Sequence, residues 1–192
     1  LSTSAAFSAP GEYALRLTAD DGQASSSATM KVKVAAAPSA QHLEPVYTTS
    51  YKLDSPLWSA RMKALMVNWI PHCIEKINDP NLREGGIDNF IQAAKKLAGE
   101  PAKRHVGYPF SNAWVYNTIE AMSVGLQVDP QGDPEIVKAQ ALYRATLADW
   151  IPKILAAQEP DGYLQTNETL NGYGHWTRRG DHEGYTGGYF LE

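Results

Sequence analysis

Asn68-Trp69-Ile70-Pro71 and Asp149-Trp150-Ile151-Pro152 are near copies, each inside a long stretch whose apolar residues recur at spacings of three and four. Such a pattern calls for amphipathic helices, and its repetition predicts equivalent helices in an α-helical array. The first stretch opens at Ser55, which can cap a helix with Pro56 at the first helical position. It runs on through Trp58, Met62, Leu65, Met66 and Trp69, side chains expected in the core. Pro71 should break or kink it, because proline has no N–H to give and its ring crowds the preceding turn. Cys73, Ile74 and Ile77 carry the stripe to Asn78-Asp79-Pro80. A second helix is predicted from about Gly86 to Ala98, with Ile87, Phe90, Ile91, Ala94 and Leu97 inward and Gly99 as terminator. A third spans about Asn112 to Gln127, with Trp114, Val115, Thr118, Ile119 and Met122 on one side. A fourth starts at the Asp133-Pro134-Glu135 cap and continues through Tyr143, Trp150 and Ile154, with Pro152 a candidate kink.

Residues 1–37 read differently. Tyr13, Leu15 and Leu17 alternate along one extended run and Met30, Val32 and Val34 along a second, with Asp20-Asp21-Gly22 as turn chemistry between them, so a β-hairpin is predicted. Residues 10–22 resemble the closing hairpin of an immunoglobulin-like or PKD-type β-sandwich, which implies that 1–37 are the last strands of such a domain. Residues 38–54, with Pro38, Pro45 and no sustained period, are expected to be a linker packed over its neighbour. The helical domain then occupies 55–192.

The balance of 17 Lys+Arg against 21 Asp+Glu gives a formal net charge of −4, without the basic footprint of a nucleic-acid binder. No apolar window is long enough for a membrane span. A single cysteine, Cys73, excludes an internal disulfide and multi-cysteine zinc sites. It lies on an apolar stripe, where cysteine behaves as a small hydrophobe. The 5 Trp and 10 Tyr favour a cleft that binds sugars.

After Ala157 the periodicity fades, and glycines alternate with rings and charges. Pro160-Asp161-Gly162 is a turn that sets Tyr163 beside the end of the preceding helix. His175, Trp176, Asp181, His182, Glu183 and Tyr185 crowd the next loop. His182, between two carboxylates, can be oriented by one of them for catalysis or sugar binding, or can simply open the helix suggested from Glu183 onward. His175 and His182 lack the His-Glu-x-x-His spacing, so no metal site is assigned. His72 and His105 read as surface or core-edge residues. Asn112, Trp114 and Tyr116 can touch a substrate from the start of the third helix, or Asn112 can be its N-cap and Trp114 core.

Ala156-Ala157-Gln158-Glu159-Pro160-Asp161-Gly162-Tyr163-Leu164-Gln165-Thr166, then His175-Trp176-Thr177 and His182-Glu183-Gly184-Tyr185, resemble glycoside hydrolase family 127, the β-L-arabinofuranosidase-like enzymes. Members show a Gln-x-Pro-Asp-Gly-Tyr-Leu turn, a Trp-Thr step and a His-Glu-Leu-Tyr-like motif. Gly107 to Tyr116 stands in the place of an Asp-Ser-Asp-Val-Tyr-Lys segment, with Asn112 and Trp114 replacing acidic positions and Gly184 replacing leucine, which implies a different sugar. The resemblance covers about residues 55–192. It implies a mainly α fold, part of an (α/α)6 toroid, in a secreted, periplasmic or cell-surface glycosidase that cleaves terminal bonds of plant or algal glycans. Substrate contacts are expected from His182, Glu183, Trp176, Tyr185, Asp181, Tyr163, Asn112 and Trp114. The family's cysteine nucleophile, glutamate acid/base and zinc-binding cysteines belong beyond Glu192. This chain is therefore expected to hold no cofactor of its own, zinc being a property of the full-length parent. The rest of the parent or other subunits would complete the toroid. Two alternatives stand beside this reading. One is a polysaccharide lyase in which His182 or Tyr185 abstracts a proton and Arg178 or Arg179 holds a uronate. The other is a non-catalytic glycan-binding or scaffold protein.

Overall fold

A computed structural model describes residues 5–36 and 50–191. The chain divides into two compact units, Leu1–Val46 and Tyr47–Glu192.

In the first unit, strands β1 (Gly11–Asp20) and β2 (Ser25–Val34) pair antiparallel, with Tyr13 opposite Val32, Leu15 opposite Met30 and Leu17 opposite Ala28. The alternating residues thus meet across the ladder, as their period requires. Asp20 and Asp21 carboxylates accept the backbone N–H groups of Gly22, Gln23 and Ala24, and Gly22 takes a φ of 85° that closes the turn. The Ala24 and Gln23 N–H groups hold the Asp21 carboxyl below its usual range. The Tyr13 hydroxyl donates back to the Ala9 carbonyl at 2.7 Å.

The second unit is helical: α1 (Pro56–Ala64), α2 (Ile70–Asn78), α3 (Ile87–Leu97), α4 (Asn112–Gln127), α5 (Pro134–Ala156), the short α6 (Thr166–Asn171) and α7 (Glu183–Leu191). Helix α4 packs against α2, α5 and α7, while α3 packs against α5 and α6. Most of the linker expected at 38–54 lies outside the described residues. Its end is anchored, since Tyr51 N–H donates to the Gln127 carbonyl at 2.6 Å and the Tyr51 carbonyl accepts from Asp129 N–H at 2.7 Å.

Between α1 and α2, residues Leu65–Trp69 form one π-helical turn, with Ile70 N–H reaching back to the Leu65 carbonyl. In that wider register the partner of Pro71 would be the Met66 carbonyl, and proline has no hydrogen to offer. The buried Tyr143 hydroxyl takes its place, donating to Met66 O at 2.5 Å. Gly125 makes room for that ring: a Cβ there would stand 2.9 Å from Tyr143 Cε2.

Part of the predicted core is corrected. The inward line runs through Met62, Met66, Ile70, Ile74 and Ile77, whereas Trp58, Leu65 and Trp69 are exposed: Trp58 stands in α1, which has no buried residue, and Leu65 and Trp69 lie off that line. The two near copies are accordingly not equivalent. Trp150 is wholly buried and donates to Asn78 Oδ1 at 2.8 Å, whereas Trp69 is 60% exposed. Helix α5 continues through Pro152. Leu97, expected inward, is exposed at the end of α3. Phe90, Val115, Met122, Tyr143 and Trp150 form the heart of the core.

Candidate functional site

The Pro160-Asp161-Gly162 turn forms as its residues dictate, with Gly162 at φ 93° and Glu159 N–H donating to the Tyr163 carbonyl at 2.8 Å. Tyr163 then stacks on His175, ring centroids 3.5 Å apart and planes within 10°. Its hydroxyl donates to Glu183 Oε1. Both Glu183 oxygens lie 2.8 Å from Trp176 N, so one buried carboxylate at the first turn of α7 ties the turn to the loop. Burial, then the Glu183 bond, then the negative charges of Glu168, Glu183 and Glu159 push the Tyr163 phenol far up, so it remains a donor. Trp176 and His182 both sit in the left-handed region, at φ 60° and 57°. Non-glycine residues there cost of order 1 kcal/mol each and are often found at binding sites.

His182 lies immediately before α7, its carbonyl accepting Thr186 N–H at 2.9 Å, and its imidazole is exposed. The expectation that a flanking carboxylate orients it is not met. Asp181 is buried and paired with Arg178 Nε at 3.3 Å, and Glu183 is occupied by Tyr163 and Trp176. His182 instead meets the edge of Phe110, with centroids 5.1 Å apart and planes at 82°. Phe110 also touches Tyr108 (5.3 Å, stacked), Trp114 (6.3 Å) and Tyr185 (6.4 Å).

Asn112 is not the N-cap of α4. Ser111 precedes the helix, and Asn112 is buried, donating to Gln165 Oε1 at 3.3 Å and accepting from Thr166 Oγ1 at 2.6 Å. Gln165 in turn donates to the Pro109 carbonyl at 3.0 Å and lies 3.4 Å from both the Asp181 carbonyl and Thr186 Oγ1. Trp114, 42% exposed, is not core. The predicted residues thus form two groups: Tyr163, Trp176 and Glu183 in one, Trp114, His182 and Tyr185 around Phe110 in the other. Gln165 and Asn112 connect the loops that carry them.

Several residues of this region lie outside the expected substrate contacts. His105 has Nδ1 at 3.1 Å from Thr166 Oγ1 and Nε2 at 2.9 Å from the Tyr108 carbonyl and 3.1 Å from Ser111 Oγ, and burial pulls its pKa down. Phe110 and Tyr108 sit in a loop without periodicity. Glu168 is buried in α6, where Asn167 donates to Oε1 at 2.8 Å and Oε2 has no partner among the described residues. Burial, reinforced by the charges of Glu183 and Asp181, raises its pKa to about 7.

That shift has a sign. The folded chain holds the Glu168 proton more tightly than the unfolded chain does, so stability declines as pH rises from the ordinary carboxyl value of 4.5 through about 7. Urea unfolding midpoints across that window should fall, and Glu168→Gln should flatten the slope. An unchanged slope in the variant would place the titration elsewhere.

Arg178, one of the two guanidiniums offered for holding a uronate, is engaged by Asp181 and lies over the Tyr173 ring at 4.4 Å. Among the described residues no group of three or more His, Cys, Asp or Glu side chains is arranged to hold a metal, and no helix is long and apolar enough to cross a membrane.

The packed helices thus present rings, an exposed imidazole and buried carboxylates along their connecting loops. Among solved structures the chain is similar to a GH127 β-L-arabinofuranosidase from Geobacillus stearothermophilus T6, with 28% identity and a TM-score of 0.54 over 72% of this chain. It spans 21% of the length of that enzyme. No family model and no curated protein matches the sequence.

Proposed function

We propose that this chain is the sugar-contacting part of an exported glycoside hydrolase, related to the β-L-arabinofuranosidases, that removes terminal residues from glycans. The observation that carries the reading is the exposed His182 imidazole, held at φ 57° among the rings of Phe110 and Tyr185 at the start of α7. Ring faces cover the apolar face of a sugar while an imidazole meets its hydroxyls. The similarity to the arabinofuranosidase supports the same assignment. The (α/α)6 toroid, the sandwich origin of the β-hairpin, and a nucleophile and acid/base supplied from outside these 192 residues are parts of this proposal.

Apolar grooves on the helices support a larger assembly. One of about 390 Å³ is lined by Trp69, Cys73, Ile77 and Trp114, and another of about 410 Å³ by Ile119, Val124, Ile151, Leu155 and Phe190. Binding of methyl β-L-arabinofuranoside, followed by saturation-transfer NMR, tests the sugar site. His182→Ala should weaken it at least about tenfold, the loss of a charge-free hydrogen bond and a ring contact. Affinity within about twofold of the parent chain would remove His182 from the site.

A further inference from the structure

Residues 172–180 form a strap that leads from the end of α6 to the turn before α7, and all of them but the half-buried His175 are exposed. Apolar packing therefore does little to hold the strap down. Its polar anchors run instead to four acidic residues. Tyr173 N–H donates to the Glu168 carbonyl at 3.1 Å, at the end of α6. His175, stacked on Tyr163, lies 3.4 Å from Glu159 Oε2, while Glu159 Oε1 accepts from Thr169 Oγ1 of α6 at 2.8 Å. Trp176 N–H is held by Glu183, and Arg178 by Asp181. Three of the four carboxylates thus have a donor from the strap. The fourth, Glu168, has none: it is 1% exposed, its Oε1 accepts from the Asn167 amide, and its Oε2 has no partner among the described residues. A buried carboxyl with an unanswered oxygen is far more stable with a proton than with a charge.

We infer that Glu168 is a proton-operated latch: with its carboxyl protonated the strap stays docked, and loss of the proton releases residues 172–180 while the helices remain folded. The latch is independent of what His182 binds. Once ionised, Glu168 faces the charges of Glu183 and Asp181 with no donor for Oε2. From α3, Lys96 faces α6, but its ammonium donates to the Leu170 carbonyl at 3.0 Å. His105 meets α6 at Thr166, and burial pulls its pKa down, so its own titration adds stability as pH rises, the opposite sense. Opening the strap is the least costly way to bring water to Glu168, because it breaks a few polar contacts and uncovers little apolar surface. It also lets Trp176 leave its φ of 60°. Burial and the two neighbouring charges raise the carboxyl from an ordinary 4.5 to about 7, so the docked strap is favoured in full below 4.5 and loses that advantage as pH climbs through about 7.

Amide hydrogen exchange of the 192-residue chain, followed by NMR from about pH 5 to about pH 8 and divided by the intrinsic rate at each pH, tests the latch. Protection of the Tyr173 and Trp176 amides should fall about tenfold or more across that range. It should stay below the protection of Met122, in the buried middle of α4, throughout. Glu168→Gln should keep both strap amides at their acid-side protection at every pH. His175→Gln, which removes the imidazole of the strap, should keep the fall. In the parent chain the Glu168 side-chain carboxyl carbon should titrate at the pH where protection is lost, a readout that needs no variant. A protection that does not change with pH, a fall that persists in Glu168→Gln, one abolished by His175→Gln, or a carboxyl midpoint apart from the loss of protection would each overturn the latch. Equal protection of Trp176 and Met122 would overturn it too, since only global unfolding would then free the strap.

Discussion

Gly107→Ala should be severely destabilising, costing about 3 kcal/mol or more. Two effects add. The residue sits at φ 91°, a region an L side chain enters only at a penalty, and its Cβ would meet the Glu84 carbonyl oxygen at 2.0 Å and its carbon at 2.4 Å. Backbone, not a flexible side chain, is what it strikes, so the segments at 84–85 and 106–107 must separate. Gly99→Ala is the control. Gly99 has a φ of 78° but nothing within 4 Å of its Cβ position, so only the backbone penalty of about 1 kcal/mol remains. Urea unfolding of both variants separates strain from collision. Equal losses would mean that the close approach contributes nothing.

Glu183→Ala should cost about 2 to 4 kcal/mol, because it strands two donors, the Trp176 N–H and the Tyr163 hydroxyl, that share one buried carboxylate. Trp176 is held at positive φ by that bond, so the loop from 173 to 178 should relax and the tryptophan fluorescence should shift. Glu183→Gln retains an acceptor for Trp176 and a polar group for Tyr163, and should stay within about 1 kcal/mol. It also removes a negative charge that helps raise the Glu168 pKa, so the pH midpoint of the stability profile should move down. A Glu183→Ala variant as stable as the parent chain would show that the carboxylate does not hold the loop.

Helices with long apolar periods and strong boundary residues are readable from the sequence. Helix α4 runs from Asn112 to Gln127 as predicted, and α5 begins after Asp133, whose carboxylate accepts the N–H groups of Glu135 and Ile136. The π turn is not readable, because a single extra residue leaves the local composition unchanged and shows only in the backbone register. Periodicity alone therefore gives Trp69 the place that only Trp150 occupies. The network of His105, Asn112, Gln165 and Thr166, and the buried Glu168 nearby, are hidden for another reason. A run of polar residues at 165–169 carries no hydrophobic period, and its burial comes from α3, α4 and α7 closing over it. The candidate residues around His182 are accessible to sequence reasoning because chemically active side chains crowd one short loop. How they divide between two ring clusters depends on Phe110, which lies in the segment 107–116 but is not among the expected substrate contacts.

The π turn at Leu65–Trp69 leaves, in the middle of a helical path, a carbonyl that the backbone itself cannot satisfy, because the N–H that would reach Met66 O falls on Pro71. The Tyr143 hydroxyl answers for that hydrogen from α5. The joint between α1 and α2 therefore depends on a tyrosine at a sequence separation of 77, so a change in one helix can undo the backbone of another.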